Sequence, residues 1–464
     1  MAPNEEMMAI ETLDDFRKAV AEITAEERAR EPNYHKWIRA LTGLKNAHDL
    51  RTLLFIAYYF ASLYWLWNWE KLMPTKLGGS EIIDWGLYMT IWYSNIYFSI
   101  LGSVMTHNTM HSALYTSSYA NKAVQLLLTL TYGHPVSSYV PGHNLSHHKY
   151  TQSKKDVMNS YLVNSKYHSW NLLSFQPKVG LSVMQSDFRY IMFQKHRGNW
   201  KFVSQALREL AFLLVVQTAL MYSNITKWML YFYIPHFVAQ YAIVTLSLLQ
   251  HDGCELFDRN ATSINWNTSR NFTSDFLNFF CLNNGYHTVH HLVPTTHWSL
   301  CKVIHDRLVQ GRTDDRLVWP SMANFILHQY FYNGNPWNKN KKRRMYNGAI
   351  DIEPKSKSEP VPIIEPIGDS TASSSETSST MTRRRTSSKG NGVNRVGATK
   401  ARSSSLPKDK QSSLMYEEWL SFPDNFDRES VPQTKQELGA NIGLLLLKLI
   451  ISPLYSIEPG LRLV

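Results

Sequence analysis

The apolar positions of this chain fall in blocks separated by long polar stretches. Four blocks approach the ~20 residues a helix needs to cross a bilayer: 52–69, 82–106, 210–223 and 228–250. The first, TLLFIAYYFASLYWLWNW, is rich in Tyr and Trp, and the second carries no charge after Asp84. The third is short and begins beside Arg208 and Glu209. A further apolar piece, 123–132, is too short to span and predicts a re-entrant or interfacial helix. The pattern predicts an all-α integral membrane protein: four transmembrane helices, that extra helix, and a cytosolic helical cap.

The polar stretches divide the chain further. Residues 1–50 read as a cytosolic N-terminal segment whose start is acidic (Glu5, Glu6, Glu11, Asp14, Asp15), unlike a signal or transit peptide. Residues 51–330 form the membrane-embedded catalytic domain. Residues 331–415, basic and rich in Ser and Thr, lack apolar periodicity and predict a disordered linker. Residues 416–464 form a C-terminal segment whose apolar stretch, 442–455, is broken by Lys448 and Pro453 and suits membrane association rather than a span. Within the linker, RSSSLP (402–407) has the form of a phosphoserine docking site, with Ser405 the phosphosite and a phospho-dependent partner implied.

Composition sharpens this picture. Mean hydropathy is −0.29, an average over apolar blocks and polar tails. There are 14 Trp and 25 Tyr, as suits membrane interfaces and apolar tunnels. The chain has 48 Lys+Arg against 37 Asp+Glu. The basic tail lacks interleaved aromatics, which sets nucleic acid aside as a partner. The connections after the first and third spans hold only Lys71, Lys76 and Lys227, so the positive-inside rule places both termini in the cytosol. Three cysteines without a CxxC exclude a disulfide framework and a thiolate zinc site.

The chemistry lies in the histidines. Eight of 18 fall in three clusters, HNTMH (His107, His111), HNLSHH (His143, His147, His148) and HTVHH (His287, His290, His291). His251 stands alone at the end of the fourth apolar block. On a helix, positions i and i+4 lie about 40° apart and neighbours about 100°. His107 with His111, and His287 with His291, can therefore share a metal, whereas each adjacent doublet must feed two. Eight or nine imidazoles exceed one zinc site and suit two metals. In the predicted topology all nine lie on the cytosolic side, on the helical cap.

These clusters, in this order and with a pair of spans between the second and third, resemble the three histidine boxes of the integral-membrane fatty acid desaturase and hydroxylase family. Further likenesses are HHKYTQ followed by Asp156, NGYHTVHHLVP around the third box, and Gln250-His251. The resemblance covers roughly residues 50 to 310. It implies a di-iron enzyme that uses O2 to introduce a double bond into an acyl lipid, with His107, His111, His143, His147, His148, His251, His287, His290 and His291 as ligands of two Fe ions. Asp156, Asp252 and Glu255 become candidates for holding imidazole N–H groups, and Trp92, Tyr93, Tyr97 and Phe98 for lining an acyl tunnel. In some members an Asn one turn before the isolated His contributes through water; here that position is Ser247. The third box begins with His287 rather than Gln, and no HPGG haem motif occurs. A separate electron donor, a b-type cytochrome or a ferredoxin, is therefore implied. The expected location is the endoplasmic reticulum membrane, with a plastid membrane the alternative. The rival readings are a lipid or alkane hydroxylase with the same ligands and, from another class, a zinc-binding membrane receptor or scaffold without redox chemistry.

Overall fold

The computed structural model describes residues 10–72, 81–153, 155–163, 167–257 and 261–332. The linker at 331–415 (save its first two residues), Ser405 and the segment 416–464 lie outside the described residues. What is described is mostly helical, with irregular loops between the helices and almost no sheet. The exception is a pair of two-residue parallel strands, β1 (Asn271–Phe272) and β2 (Val318–Trp319).

The first helix, α1 (Leu13–Ala29), shows how the acidic N-terminus folds. Thr12 caps it, and Asp15 bonds back to the Thr12 N–H in a capping box. Phe16, Ala19, Val20 and Ile23 recur at helical spacing and are buried. They join one core with Tyr286, Val289, Ile304 and Val309 from the region of the third histidine cluster. Next comes α2 (Asn33–Thr42), which leaves Tyr34, Trp37 and Leu41 exposed along one stripe.

The helices α3 (Leu50–Trp67), α4 (Trp69–Leu72) and α5 (Glu81–His111) follow. Then come α6 (Ser118–Tyr132), α7 (His148–Tyr150), α8 (Asn171–His196) and α9 (Trp200–Ser223). A continuous helical run is made of α10 (Ile225–Trp228), a π-helical turn (Met229–Tyr233) and α11 (Ile234–His251). Four short helices complete the order: α12 (Asp275–Phe280), α13 (His287–Leu292), α14 (Cys301–Ile304) and α15 (Met322–Phe325).

The centre of the bundle is α5, with α3 and α11 against it. The crossings use small and polar groups, as helices in lipid do. Asn95 Nδ2 donates to Ser62 Oγ at 2.9 Å, and Ser99 Oγ to Thr131 O at 2.8 Å. Tyr59 OH meets His236 Nε2 at 2.9 Å, which satisfies a buried histidine within α11. Gly133 ends α6 with φ +73°, and a Cβ there would lie 2.4 Å from the His236 ring. The left-handed turn and the close crossing both require glycine.

Two described helices are long and apolar enough to cross a membrane, Trp200–Ser223 and the run Ile225–His251. The third block is thus longer than its apolar core, because the helix continues backwards through Glu209. The Glu209 carboxylate is buried and accepts from the Ser137 N–H at 2.7 Å. The first two blocks form α3 and α5, in which Tyr, Trp, Ser and Asn stand among the aliphatic residues. The stretch at 123–132 is the C-terminal part of α6 and is largely buried from Leu128 to Tyr132.

Candidate metal centre

Five elements bring the histidines together. His107 and His111 occupy the last two turns of α5. His251 ends α11, and His287, His290 and His291 belong to α13. Gly285, just before α13, passes so close to β1 that a Cβ would lie 2.2 Å from Phe272 O. The second cluster is unusual: residues 140–147 form a π-helical turn running into α7. The His148 N–H bonds to His143 O, an i to i+5 connection. In that wider turn His143 and His148 share a face, their Nε2 atoms 2.9 Å apart.

The nine rings sort into two sets. In one, the nearest ring nitrogens of His107, His111, His143, His148 and His290 all lie within 4.8 Å of one another. In the other, those of His147, His251, His287 and His291 do the same. Each doublet is divided between the sets: His148 and His290 go to the first, His147 and His291 to the second.

The outer nitrogens explain why the inner ones converge. His147 Nδ1 donates to Asp156 Oδ2 at 3.0 Å, and His251 Nδ1 to Thr268 O at 3.0 Å. Thr151 Oγ donates to His147 O at 2.7 Å, which leaves its lone pair for the His291 N–H at 3.3 Å. His107 Nδ1 meets Asn108 Oδ1 at 3.2 Å. A proton on Nδ1 leaves Nε2 with a bare lone pair. Yet His287 Nε2 stands 3.0 Å from both His251 Nε2 and His291 Nε2, and His148 Nε2 lies 2.9–3.0 Å from those of His143 and His290. A ring proton shared between two of these nitrogens can bridge that distance, and a metal cation can take its place among them. The donor set, neutral imidazole without thiolate, suits iron among other metals. Burial, reinforced by the neighbouring rings, holds His143, His148, His287, His290 and His291 well below the usual imidazole range, so all are neutral donors.

The residues around the rings only partly follow the sequence expectation. Asp156 is buried, and besides His147 it accepts from the Gln152 and Met158 N–H groups at 2.9 and 2.8 Å. Asp252 accepts from the Tyr167 N–H and the Tyr330 OH and fixes the corner after His251. Glu255 faces Asn267, with Asn267 Nδ2 at 3.4 Å. Sequence reasoning gave no role to Gln152 or Arg270. Gln152 adopts φ +67°, donates to His251 O at 2.7 Å and accepts from Ser160 N. Backbone strain of that kind collects at functional sites. Arg270, fully buried, donates to Asp252 O at 2.8 Å and to Leu249 O.

A cavity of about 380 Å³ ends on His107, His143, His147 and His287. It runs between α6, α8, α9 and α11, with Val183, Leu213, Phe237 and Val244 among its walls. Trp92, Tyr93, Tyr97 and Phe98 do not line it. Trp92 Nε1 donates to Leu230 O, Tyr93 is exposed, and Tyr97 and Phe98 pack toward Phe280 and α3. The cause is rotational: that part of α5 faces α3 and the π turn, whereas only its last turns reach the cavity.

The sequence profile of the family described as Fatty acid desaturase matches residues 83–321, more than half of the chain. No curated protein and no solved structure matches.

Proposed function

The chain belongs to the fatty acid desaturase family, and from that we propose that it is a membrane acyl-lipid desaturase whose two histidine sets each hold one iron ion. The family's activity is of the desaturase or hydroxylase type, an oxidoreductase chemistry. The observation that carries the proposal is the convergence of nine imidazole nitrogens, in sets of five and four, at the end of an apolar cavity. His107, His111, His143, His148 and His290 hold one ion, and His147, His251, His287 and His291 the other. Two bound irons supply the coupling of O2 reduction to cleavage of an unactivated C–H bond.

The chain's own residues position and enclose. The cavity walls hold an extended acyl chain with one CH2–CH2 pair against the His107, His143, His147 and His287 rings and exclude water from it. Asp156, Thr151 and the Thr268 carbonyl keep the Nδ1 protons of His147, His291 and His251 on the outer side, so the inner lone pairs of these three stay available. Electrons come from a separate protein donor of the b-type cytochrome or ferredoxin class. We place α3, α5, α9 and the α10–α11 run across the membrane of the endoplasmic reticulum, with the histidines on the cytosolic side and a plastid membrane as the alternative. Phosphorylated Ser405 recruits a partner to the tail.

The test is the metal content of detergent-purified protein beside His147→Ala and His290→Ala, with lipid product analysis. About two Fe per chain, reduced in both variants, and a new double bond support the proposal. An alcohol product reassigns the reaction to hydroxylation. One zinc, untouched by either substitution, overturns the enzyme.

A further inference from the structure

Beside His111 lies a second, very small space of about 20 Å³, room for one water molecule. Asp49, Asn108, His111 and Thr296 help to line it. Two polar atoms of these lining residues are sealed from solvent and have no hydrogen-bond partner: Asn108 Nδ2 and Thr296 Oγ. Buried polar atoms of this kind are satisfied by ordered water.

Beyond this space lies a cleft of about 950 Å³ between α1, α2 and the chain after α13, and His297 lines it. His297 and Asp49 join the two. His297 Nδ1 accepts from the Ser299 N–H at 3.2 Å and faces the Ser299 hydroxyl at 2.8 Å. Its proton therefore sits on Nε2, which donates to Asp49 Oδ1 at 3.1 Å. Trp298 Nε1 donates to the same oxygen at 3.0 Å. Both bonds fall on Oδ1, and Oδ2 takes no part in them. The side chains of His297 and Asp49 are 12% and 5% exposed, so the pair forms the wall between open cleft and sealed space.

We propose that His297, Asp49 and one water beside Asn108 and Thr296 form a proton relay from the cleft to the metal centre. The proposal rests on the function given above. That reaction needs such a route whether the product is an alkene or an alcohol. Each O2 reduced takes up two electrons from the one-electron protein donor and two protons from solvent. In desaturation two hydrogens leave the acyl chain, one carbon–carbon π bond forms, and two waters result. A proton arriving at His297 Nδ1 releases the Nε2 proton to Asp49, which passes it to the pocket water. His297 and Asp49 act through that water and are positioning residues, with His297 bonded to Ser299 and Asp49, and Asp49 to Trp298.

The test uses full-length, iron-loaded protein carrying Asp49→Asn or Asp49→Glu. The Asn side chain still accepts from Trp298 but cannot carry a proton; Glu can. Both variants are expected to keep wild-type iron content and lipid KM. The Asn variant is expected to lose kcat roughly a hundred-fold, with Glu restoring most of it. A structure of the wild type at a resolution that shows water should hold one ordered water within hydrogen-bonding distance of Asn108 Nδ2 and Thr296 Oγ. If Asp49→Asn does not fold, His297→Gln carries the same expectation. An Asn or Gln variant at wild-type kcat, or a dry pocket, overturns the relay while leaving the proposed function intact. Wild-type protein that binds no iron overturns both, and the iron assay tells the two failures apart.

Discussion

At the residue scale, the site is organised by what stands behind the imidazoles. An acceptor on the outer nitrogen of a ring fixes its tautomer and orientation, and several of the nine have one. Asp156 is the one carboxylate seen in that position among the described residues, and it also closes the loop after the second cluster through Gln152 and Met158. Substituting Asp156→Ala removes the acceptor and leaves the His147 N–H buried and unpaired. Iron affinity is expected to fall about ten- to a hundred-fold, read as faster loss of iron to a competing chelator. Retention equal to wild type would show that the ring is held by its packing alone. The value of Asp156 was legible from its spacing after the HH doublet. Asp252 and Glu255 were candidates for the same role; the chain turns at Asp252, and their carboxyls meet Tyr330 and Asn267.

At the element scale, helices with i, i+4 histidines could be foreseen and the π turn could not. The pairs His107/His111 and His287/His291 follow from 3.6-residue geometry. His143 teams with His148 rather than His147 because the turn is wound one residue wider. Nothing in HNLSHH announces that winding. The helix α1 was hidden for another reason, since its acidic face dominates the composition while four apolar positions at helical spacing carry the packing. A polar join between elements makes a further prediction. Asp187 of α8 bonds to the Ser138 hydroxyl, and Glu209 of α9 bonds to the Ser137 N–H, so both helices grip the 136–138 turn beside the cavity. Part of Asp187 is accessible as a residue, but Oδ1 is sealed and without a partner. Burial pushes this carboxyl up to about 8, against which the Ser138 bond is the smaller effect. A folded-state value above the unfolded one means that folding holds the proton, so stability falls as pH rises through the interval from about 4 to about 8. Asn cannot titrate. Asp187→Asn should therefore match wild type near pH 4 and exceed its Tm by a margin that grows until about pH 8 and then levels off. A margin independent of pH would mean that Asp187 is ionised in the fold.

At the scale of the whole molecule, the two ends of the helix bundle differ, and the proposed membrane orientation makes a prediction from that difference. The C-termini of α5 and α11 both carry histidines, so these packed helices end on the same face. Arg51, in the first turn of α3, reaches Phe279 O on that face, beside the third cluster. At the opposite ends the two hairpin connections meet: Lys227 Nζ donates to Trp67 O at 3.0 Å and pairs with Glu70 at 3.2 Å. Large apolar side chains stand exposed along α3, α5, α9 and the α10–α11 run between these ends, among them Leu54, Tyr93, Val215 and Met229, a pattern that suits lipid contact. The hydropathy pattern gave the number of blocks but only two helices apolar enough to stand alone as spans; the case for α3 and α5 comes from where their ends lie. A labelling experiment decides it. Arg17, on the histidine side, and Thr226, in the opposite connection, are both exposed. In sealed microsomes with the cytosolic face outward, Arg17→Cys should react with a membrane-impermeant maleimide at once. Thr226→Cys should react only after permeabilisation, and the cysteine-bearing parent, with Cys254 and Cys301 buried, sets the background. Equal labelling of both sites in sealed vesicles would remove the four-span topology. The nine histidines would still converge, because their geometry depends on the packing of α5, α11 and α13 and not on which leaflet surrounds it.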